Sequence, residues 1–314
     1  MASETPGDLP SIGGTTISST WGPNSTGVSR PPVDIVLFTS DAVAFYVDEA
    51  TLLQASNNSF RTLLPITTED NSQRVLFMTE MPSVQLDIML QVVYNAPSAA
   101  TMLDIQTLMR AINQLPVYGI LPSTHISPTS HLYQHLLARA PLHPLEIYAL
   151  AAQYNMEILA MTVSSHTLTV ELSQLSEDLA RRMGSVYLLR LFQLHAARTD
   201  ALKRLLAAEL GLHDKTPSCD FDAQKRLRNG WNMAVASMLF DIKPGQSRRR
   251  INLITTLYDG TFMAFSLDTT TTMIRATILE HTSNLICPDC IKLRDTNLAR
   301  VIRGWVETGV SIGF

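Results

Sequence analysis

Cysteine is scarce in this chain, with three among 314 residues. Three thiols do not make a disulfide framework, which fits a reducing compartment. Charge of one sign is scarce too: 24 basic and 28 acidic residues leave a net charge of −4, without the Lys/Arg excess of a nucleic-acid-binding surface. No apolar run approaches the roughly 20 residues that span a bilayer, and no basic stretch followed by an apolar one opens the chain. The expectation is a soluble protein of the cytoplasm or nucleus, without direct nucleic-acid or membrane partners. Catalytic signatures are missing as well: no Gly-x-Ser-x-Gly elbow, phosphate-cradling glycine loop, dinucleotide fingerprint or His-Glu-x-x-His pair occurs. An enzyme would need an active site outside these patterns.

What is present suggests two units, since 314 residues exceed an ordinary domain. Residues 1–32 are rich in Ser, Thr, Gly and Pro and bury too little apolar area to offset their conformational entropy. They are expected to be a disordered tail, with Trp21 solvated or weakly docked. From Asp34 to Leu64 the hydrophobic period changes twice. Residues 34–38 and 43–47 are β-branched and aromatic runs of strand length, and Ser40-Asp41 carries turn chemistry between them, which predicts a hairpin. From Glu49 the apolar residues take helical spacing, broken at Asn57-Asn58-Ser59, which predicts two short helices. A strand at Val75–Met78 follows, then a helix over 83–94 in which Val84, Ile88 and Val92 recur one turn apart, then a helix beginning with Leu103 and Ile105. Phe45, Leu52, Phe60, Ile88 and Val92 are expected in one core.

A hairpin opening on Asp34, the helix Ala50-Thr51-Leu52-Leu53-Gln54-Ala55-Ser56, Phe60-Arg61-Thr62-Leu63, the third strand and the apolar helix ending at Tyr94 together resemble a BTB/POZ domain. The likeness covers about residues 33–115, and the remainder is loosely similar to the long BTB-containing proteins abundant in fungi. One departure is Asp48-Glu49 where many members carry a basic pair, which would repel an acidic ligand there. The resemblance implies a protein-interaction module, serving ubiquitin-ligase scaffolds or transcriptional complexes. It also implies that a segment before the first strand builds the dimer of many members. The proline-rich stretch here is poorly suited to that, so a monomer or weak dimer is expected.

The fold class expected is α+β: a BTB/POZ-like domain at 33–120, a proline-containing linker at 121–130, and a mainly α-helical region over 131–314. In that region Pro144 suits a first helical position, Asn155 an irregularity and Gly184 a stop. A break is expected near Arg198-Thr199, and Asp222 as the cap of a helix carrying Leu227, Trp231, Val235 and Met238. Thr269–Thr272 reads as a polar linker or helix entry, and Leu298, Ile302 and Trp305 as one face of the last helix. Arg248-Arg249-Arg250 follows Pro244-Gly245 and reads as a solvated loop or a basic patch. Pro144–Ala151 and Leu191–Arg198 are similar to elements of the fungal proteins and carry no known chemistry.

Cys287-Pro288-Asp289-Cys290 has the spacing that places two thiolates on one zinc ion. A closed site needs four donors, so Cys219 and either His213 or His281 would have to converge on it from separate segments. Without that convergence the motif is two small residues at a loop or helix start, and no cofactor is expected. Zinc at Cys219, Cys287 and Cys290 is the alternative. His125, His131, His135, His143, His166 and His195 are scattered, and read as surface or hydrogen-bonded core histidines. The function these readings lead to is a non-enzymatic adaptor that binds other proteins. An enzyme of unrecognised site and a zinc-stabilised structural protein stand as alternatives.

Overall fold

A computed structural model describes residues 16–25, 30–66, 74–78, 80–97, 104–241 and 265–308, with backbone only at 174, 240–241 and 265–270. It is a mixed α+β protein. By internal contacts it divides into residues 1–138 with 154–156, and 139–153 with 157–314. The division falls within a helix rather than at 121–130, and that stretch itself carries a helical turn at Pro122–His125.

The first unit is built on a four-stranded sheet of order β1-β3-β2-β4. β2 (Ile35–Thr39) and β3 (Val43–Val47) form the expected antiparallel hairpin, with Ile35 opposite Val47. The fourth strand, β4 (Arg74–Met78), runs parallel to β2, so the chain must cross over between them. That crossover carries α1 (Glu49–Ala55) and the turn α2 (Ser59–Thr62). Covering helices follow as α3 (Ser83–Val93) and α4 (Ile105–Gln114), then α5 (Pro122–His125) and α6 (His131–Arg139). Phe45, Leu52, Phe60, Ile88 and Val92 are all buried, whereas Val84 is exposed on the first turn of α3.

The tail reading is corrected for residues 16–25. β1 (Thr16–Ile17) adds in parallel to β3, and Trp21 is among the largest fully buried side chains. Its indole N–H donates to Asp87 Oδ1 at 2.7 Å, and its ring lies 5.1 Å from that of Tyr94. Arg30 donates to the carbonyls of Tyr46 and Gly22. Residues 1–15 and 26–29 lie outside the described residues, as do 67–73, Leu103 and the basic run 246–250.

Asp48-Glu49 also differs from expectation, because both acids are turned inward. Asp48 caps α1 by accepting the Thr51 N–H at 2.8 Å and receives the Tyr94 hydroxyl at 2.7 Å. Glu49 accepts the Ile66 N–H at 2.8 Å and pairs with Arg74 at 2.6 Å, and Arg74 also pairs with Asp34 at 2.7 Å. The acids hold strand to helix and do not form an acidic surface.

The second unit is helical: α7 (Pro144–Gln153), α8 (Glu157–Thr167), α9 (Glu177–Ala207), α10 (Phe221–Asp241), α11 (Phe265–His281) and α12 (Pro288–Thr308). Asn155 takes a positive φ of 53° between α7 and α8. Gly184 (φ 67°) kinks α9 near its start, and no break occurs at Arg198-Thr199. There Arg198 is buried, with its guanidinium 3.6 Å from the Trp305 ring centroid, so α9 continues across α12. Thr269–Thr272 lies inside α11. Leu202, Leu206, Leu227, Trp231, Ile274, Ile278, Leu298 and Trp305 share one core with Cys219 and Cys290. Close packing uses two glycines: a Cβ on Gly230 would stand 2.5 Å from the His281 carbonyl oxygen, and one on Gly304 2.7 Å from Leu205 Cδ2.

Candidate metal centre

Two segments far apart in sequence build the site. After α9 ends, the chain runs without helix to Asp220, and Thr216-Pro217-Ser218-Cys219 closes as a tight turn. Thr216 N–H donates to the Cys219 carbonyl and Cys219 N–H to the Thr216 carbonyl, each at 3.1 Å. Proline suits the second position of such a turn because its φ is already set. Asp220, rather than Asp222, caps α10 by accepting the Ala223 N–H at 2.8 Å. Gln224, fully buried on α10, donates from Nε2 to the His213 carbonyl at 3.1 Å and ties the loop to the helix.

The second segment is the start of α12. Pro288 takes the first helical position, where its missing N–H costs nothing. The Cys287 carbonyl accepts the Ile291 N–H at 3.1 Å, so Cys287 stands as the N-cap residue with Cys290 one turn inside. His213, Cys219, Cys287 and Cys290 each bring one donor atom, and all four lie within 4.8 Å of one another. Cys219 Sγ is 3.7 Å from Cys290 Sγ, and His213 Nε2 is 3.2 Å from Cys290 Sγ and 3.6 Å from Cys287 Sγ.

The 3.7 Å sulfur–sulfur and 3.6 Å sulfur–nitrogen separations match the edges of a tetrahedron around one ion, and the 3.2 Å separation is shorter than such an edge. With metal–sulfur bonds of about 2.3 Å and a metal–nitrogen bond of about 2.0–2.1 Å, the edges are about 3.8 Å between sulfurs and about 3.6 Å between sulfur and nitrogen. The imidazole is set for the same role. His213 Nδ1 lies 2.7 Å from the Asp214 carbonyl oxygen, which can only accept, so the proton sits on Nδ1 and the Nε2 lone pair faces the sulfurs.

The electrostatics of the bare donor set are unfavourable. Cys290 is pushed up to about 12, first by burial and then by Cys219 beside it. Burial, then Cys287, raises Cys219. The Cys287 thiol alone is lowered, chiefly because the Cys290 backbone N–H points at its sulfur. His213 is raised, first by its bond to the Asp214 carbonyl. Three packed thiols cannot all ionise beside one another, and a divalent cation among them removes that conflict.

Comparison with family models, with curated proteins and with solved structures returns no match. The site therefore stands on its own geometry. It gathers all three cysteines and one of the two candidate histidines, so the expectation of unconnected thiols is corrected. His281 is not a member; its carbonyl packs on Gly230 at the end of α11. His131 stands at the start of α6, while His195 is buried on α9 with Nε2 lacking a hydrogen-bond partner among the described residues. Sequence reasoning missed the outer groups, Asp214 and Gln224. The signal available for Gln224 was a polar residue one turn inside a capped helix, on its apolar face.

Proposed function

We propose that this chain is a non-enzymatic protein-interaction adaptor whose helical unit is held together by one structural zinc ion at His213, Cys219, Cys287 and Cys290. The observation that carries the zinc reading is the convergence of four donors within 4.8 Å of one another, from two segments that are otherwise loop and helix end. Three sulfurs and one imidazole in a tetrahedron select zinc over the hard, oxygen-seeking cations. A set of four protein donors leaves no open position for a substrate or water, which is the arrangement of a structural and not a catalytic ion. Bound there, zinc would keep the three thiols ionised and fasten the 208–220 loop to α12.

The adaptor reading is supported by the resemblance of residues 33–115 to BTB/POZ domains and by the outer strand of the sheet. β4 is an edge strand and exposes Val75 and Phe77, the latter at 61 %. Exposed apolar residues on an edge strand are a common place for another protein to add. Ubiquitin-ligase scaffolds and transcriptional complexes are the settings the resemblance implies.

Elemental analysis of full-length protein purified under reducing conditions tests the zinc reading. We expect close to one zinc per chain, with loss of the metal and a lower melting temperature in Cys219→Ser and His213→Ala. Metal-free wild-type protein whose melting is unchanged in both variants would overturn it. The adaptor reading is tested by affinity purification with mass spectrometry on wild type and Phe77→Asp. Partners retained equally by both would remove β4 as the binding strand.

A further inference from the structure

We infer that Cys287 and Cys290 are an oxidisable dithiol, and that hydrogen peroxide closes them into a disulfide and thereby releases the metal. The inference rests on the zinc reading above and adds a regulation to that site. It follows from how the four donors are exposed. Cys219 and Cys290 are each 1 % exposed, whereas Cys287 and His213 are half-buried, so the cluster has one sheltered side and one open side. A small oxidant arriving from solvent meets Cys287 first.

The surroundings of that sulfur suit it to react. Cys287 stands half-buried at the N-cap of a 21-residue helix, on the solvent side of the cluster, and accessible cysteine sulfurs beside a resolving cysteine are the ones peroxides oxidise. A second thiol is ready to resolve the product. Cys290 lies one helical turn on in the same Cys-x-x-Cys motif, with its sulfur in the same donor cluster. Cys219 is close as well, but it belongs to the other segment and is held in its turn by paired bonds with Thr216. Closure within the motif needs no movement of one segment past the other.

The chemistry balances in two displacements. The Cys287 thiolate attacks one peroxide oxygen, the O–O bond breaks, and a sulfenic acid forms with release of hydroxide. The Cys290 thiolate then attacks the Cys287 sulfur, the S–S bond forms, and a second hydroxide leaves. Two solvent protons turn both hydroxides into water. The two thiolates have lost two electrons and the peroxide has gained two. Only Cys219 and His213 then remain to hold the ion, half of what a closed site needs. A dithiol reductant with added zinc reverses the change.

The test uses the full-length protein, with its zinc content measured before oxidant is added. Hydrogen peroxide is titrated in while a chromogenic chelator reports free zinc, and the oxidised cysteines are mapped by peptide mass spectrometry. We expect zinc release in step with peroxide, a product lighter by two hydrogens, a bond mapped to Cys287–Cys290, and recovery of bound zinc after reduction. Replacing a ligand with another ligand separates the roles of the thiols. Cys219→His keeps the dithiol and should release zinc as wild type does, whereas Cys290→His lacks the resolving thiol and should release it roughly tenfold more slowly or not at all. Where either variant fails to fold, the wild-type mapping alone decides. Zinc retained with all cysteines reduced, zinc lost with Cys287 merely overoxidised, or a disulfide mapped to Cys219 would each overturn the inference. Protein isolated without zinc would instead overturn the zinc reading, and the metal release with it.

Discussion

Asp87 is the residue on which the docking of Trp21 turns. It accepts the Trp21 indole and the Gln91 amide, both at 2.7 Å, yet burial outweighs these donors and lifts the carboxyl above its ordinary range. The folded state therefore binds the proton more tightly than the unfolded chain. Its contribution to stability is full below the unfolded pKa and is lost as the pH rises through the folded one. Asp87→Asn should remove that dependence while keeping an acceptor for Trp21. Its new amide would face Gln91 Nε2, now 2.7 Å from Asp87 Oδ2, so the Gln91 amide must flip to present Oε1, which is buried without a hydrogen-bond partner among the described residues. Urea unfolding at neutral pH should show the variant as stable as wild type or more so. A loss above about 1 kcal/mol would show that the ionised carboxylate is needed. Trp21→Phe, by contrast, takes a donor from a half-buried carboxylate and should cost about 1–3 kcal/mol. None of this was legible in the sequence, because a two-residue strand has no period and a lone Trp among Ser, Gly and Pro carries no signal of what it packs against. The candidate metal ligands were partly legible for the opposite reason. Cys-x-x-Cys is a local pattern, whereas the choice of His213 over His281 depends on which loop the helices bring to the start of α12.

Among the elements, α2 departs furthest from what propensity predicts. Phe60 and Arg61 have φ of 53° and 60°, and Ser59 and Thr62 also lie at positive φ, so four consecutive residues make one left-handed turn. Left-handed helical backbone costs roughly 1–2 kcal/mol per non-glycine residue, so its surroundings must hold it. Ser56 Oγ accepts the Phe60 N–H at 2.7 Å, Asn58 Oδ1 accepts the Arg61 N–H at 2.8 Å, and the Phe60 ring packs 4.9 Å from that of Tyr118. The 115–119 turn closes over it. Ser56 donates to the Tyr118 carbonyl at 2.7 Å, and Asn57 N–H to the Gly119 carbonyl at 2.9 Å. Gly119 has a φ of 74°, and a Cβ there would stand 2.4 Å from Asn58 Oδ1. Gly119→Ala should therefore cost about 1–3 kcal/mol in denaturant unfolding, and a change near zero would show that the two turns do not support each other. Spacing predicts a polar break at Asn57-Asn58-Ser59 and a second short helix from Phe60, and the second expectation is corrected because the hand of one turn is decided by tertiary partners. The hairpin and α3 were legible because their periods of two and about four repeat over enough residues to show.

At the scale of the whole molecule, the candidate metal site and the core of the second unit are one structure. Cys219 and Cys290 belong to the same buried cluster as Trp231, Trp305, Leu227, Ile274 and Leu298, contributed by α10, α11 and α12. On the zinc reading, removing the ion would leave three thiols packed together and loosen the loop that Gln224 and the Thr216–Cys219 turn tie to α10. The first unit has its own sheet and core, and all four donors of the candidate site belong to the second unit. Chelation should therefore act unevenly along the chain. Hydrogen exchange read peptide by peptide, with and without a strong zinc chelator under reducing conditions, should lose protection over 208–238 and 271–308, while peptides from β2, β3 and α3 keep theirs. The contrast follows from where the donors stand: they join the loop after α9 to the first turn of α12, so the order they impose spreads through the helices that bury those two cysteines. Equal loss of protection in both units would mean that the ion governs the folding of the entire chain, and no change in either would mean that packing of the helices is sufficient without it.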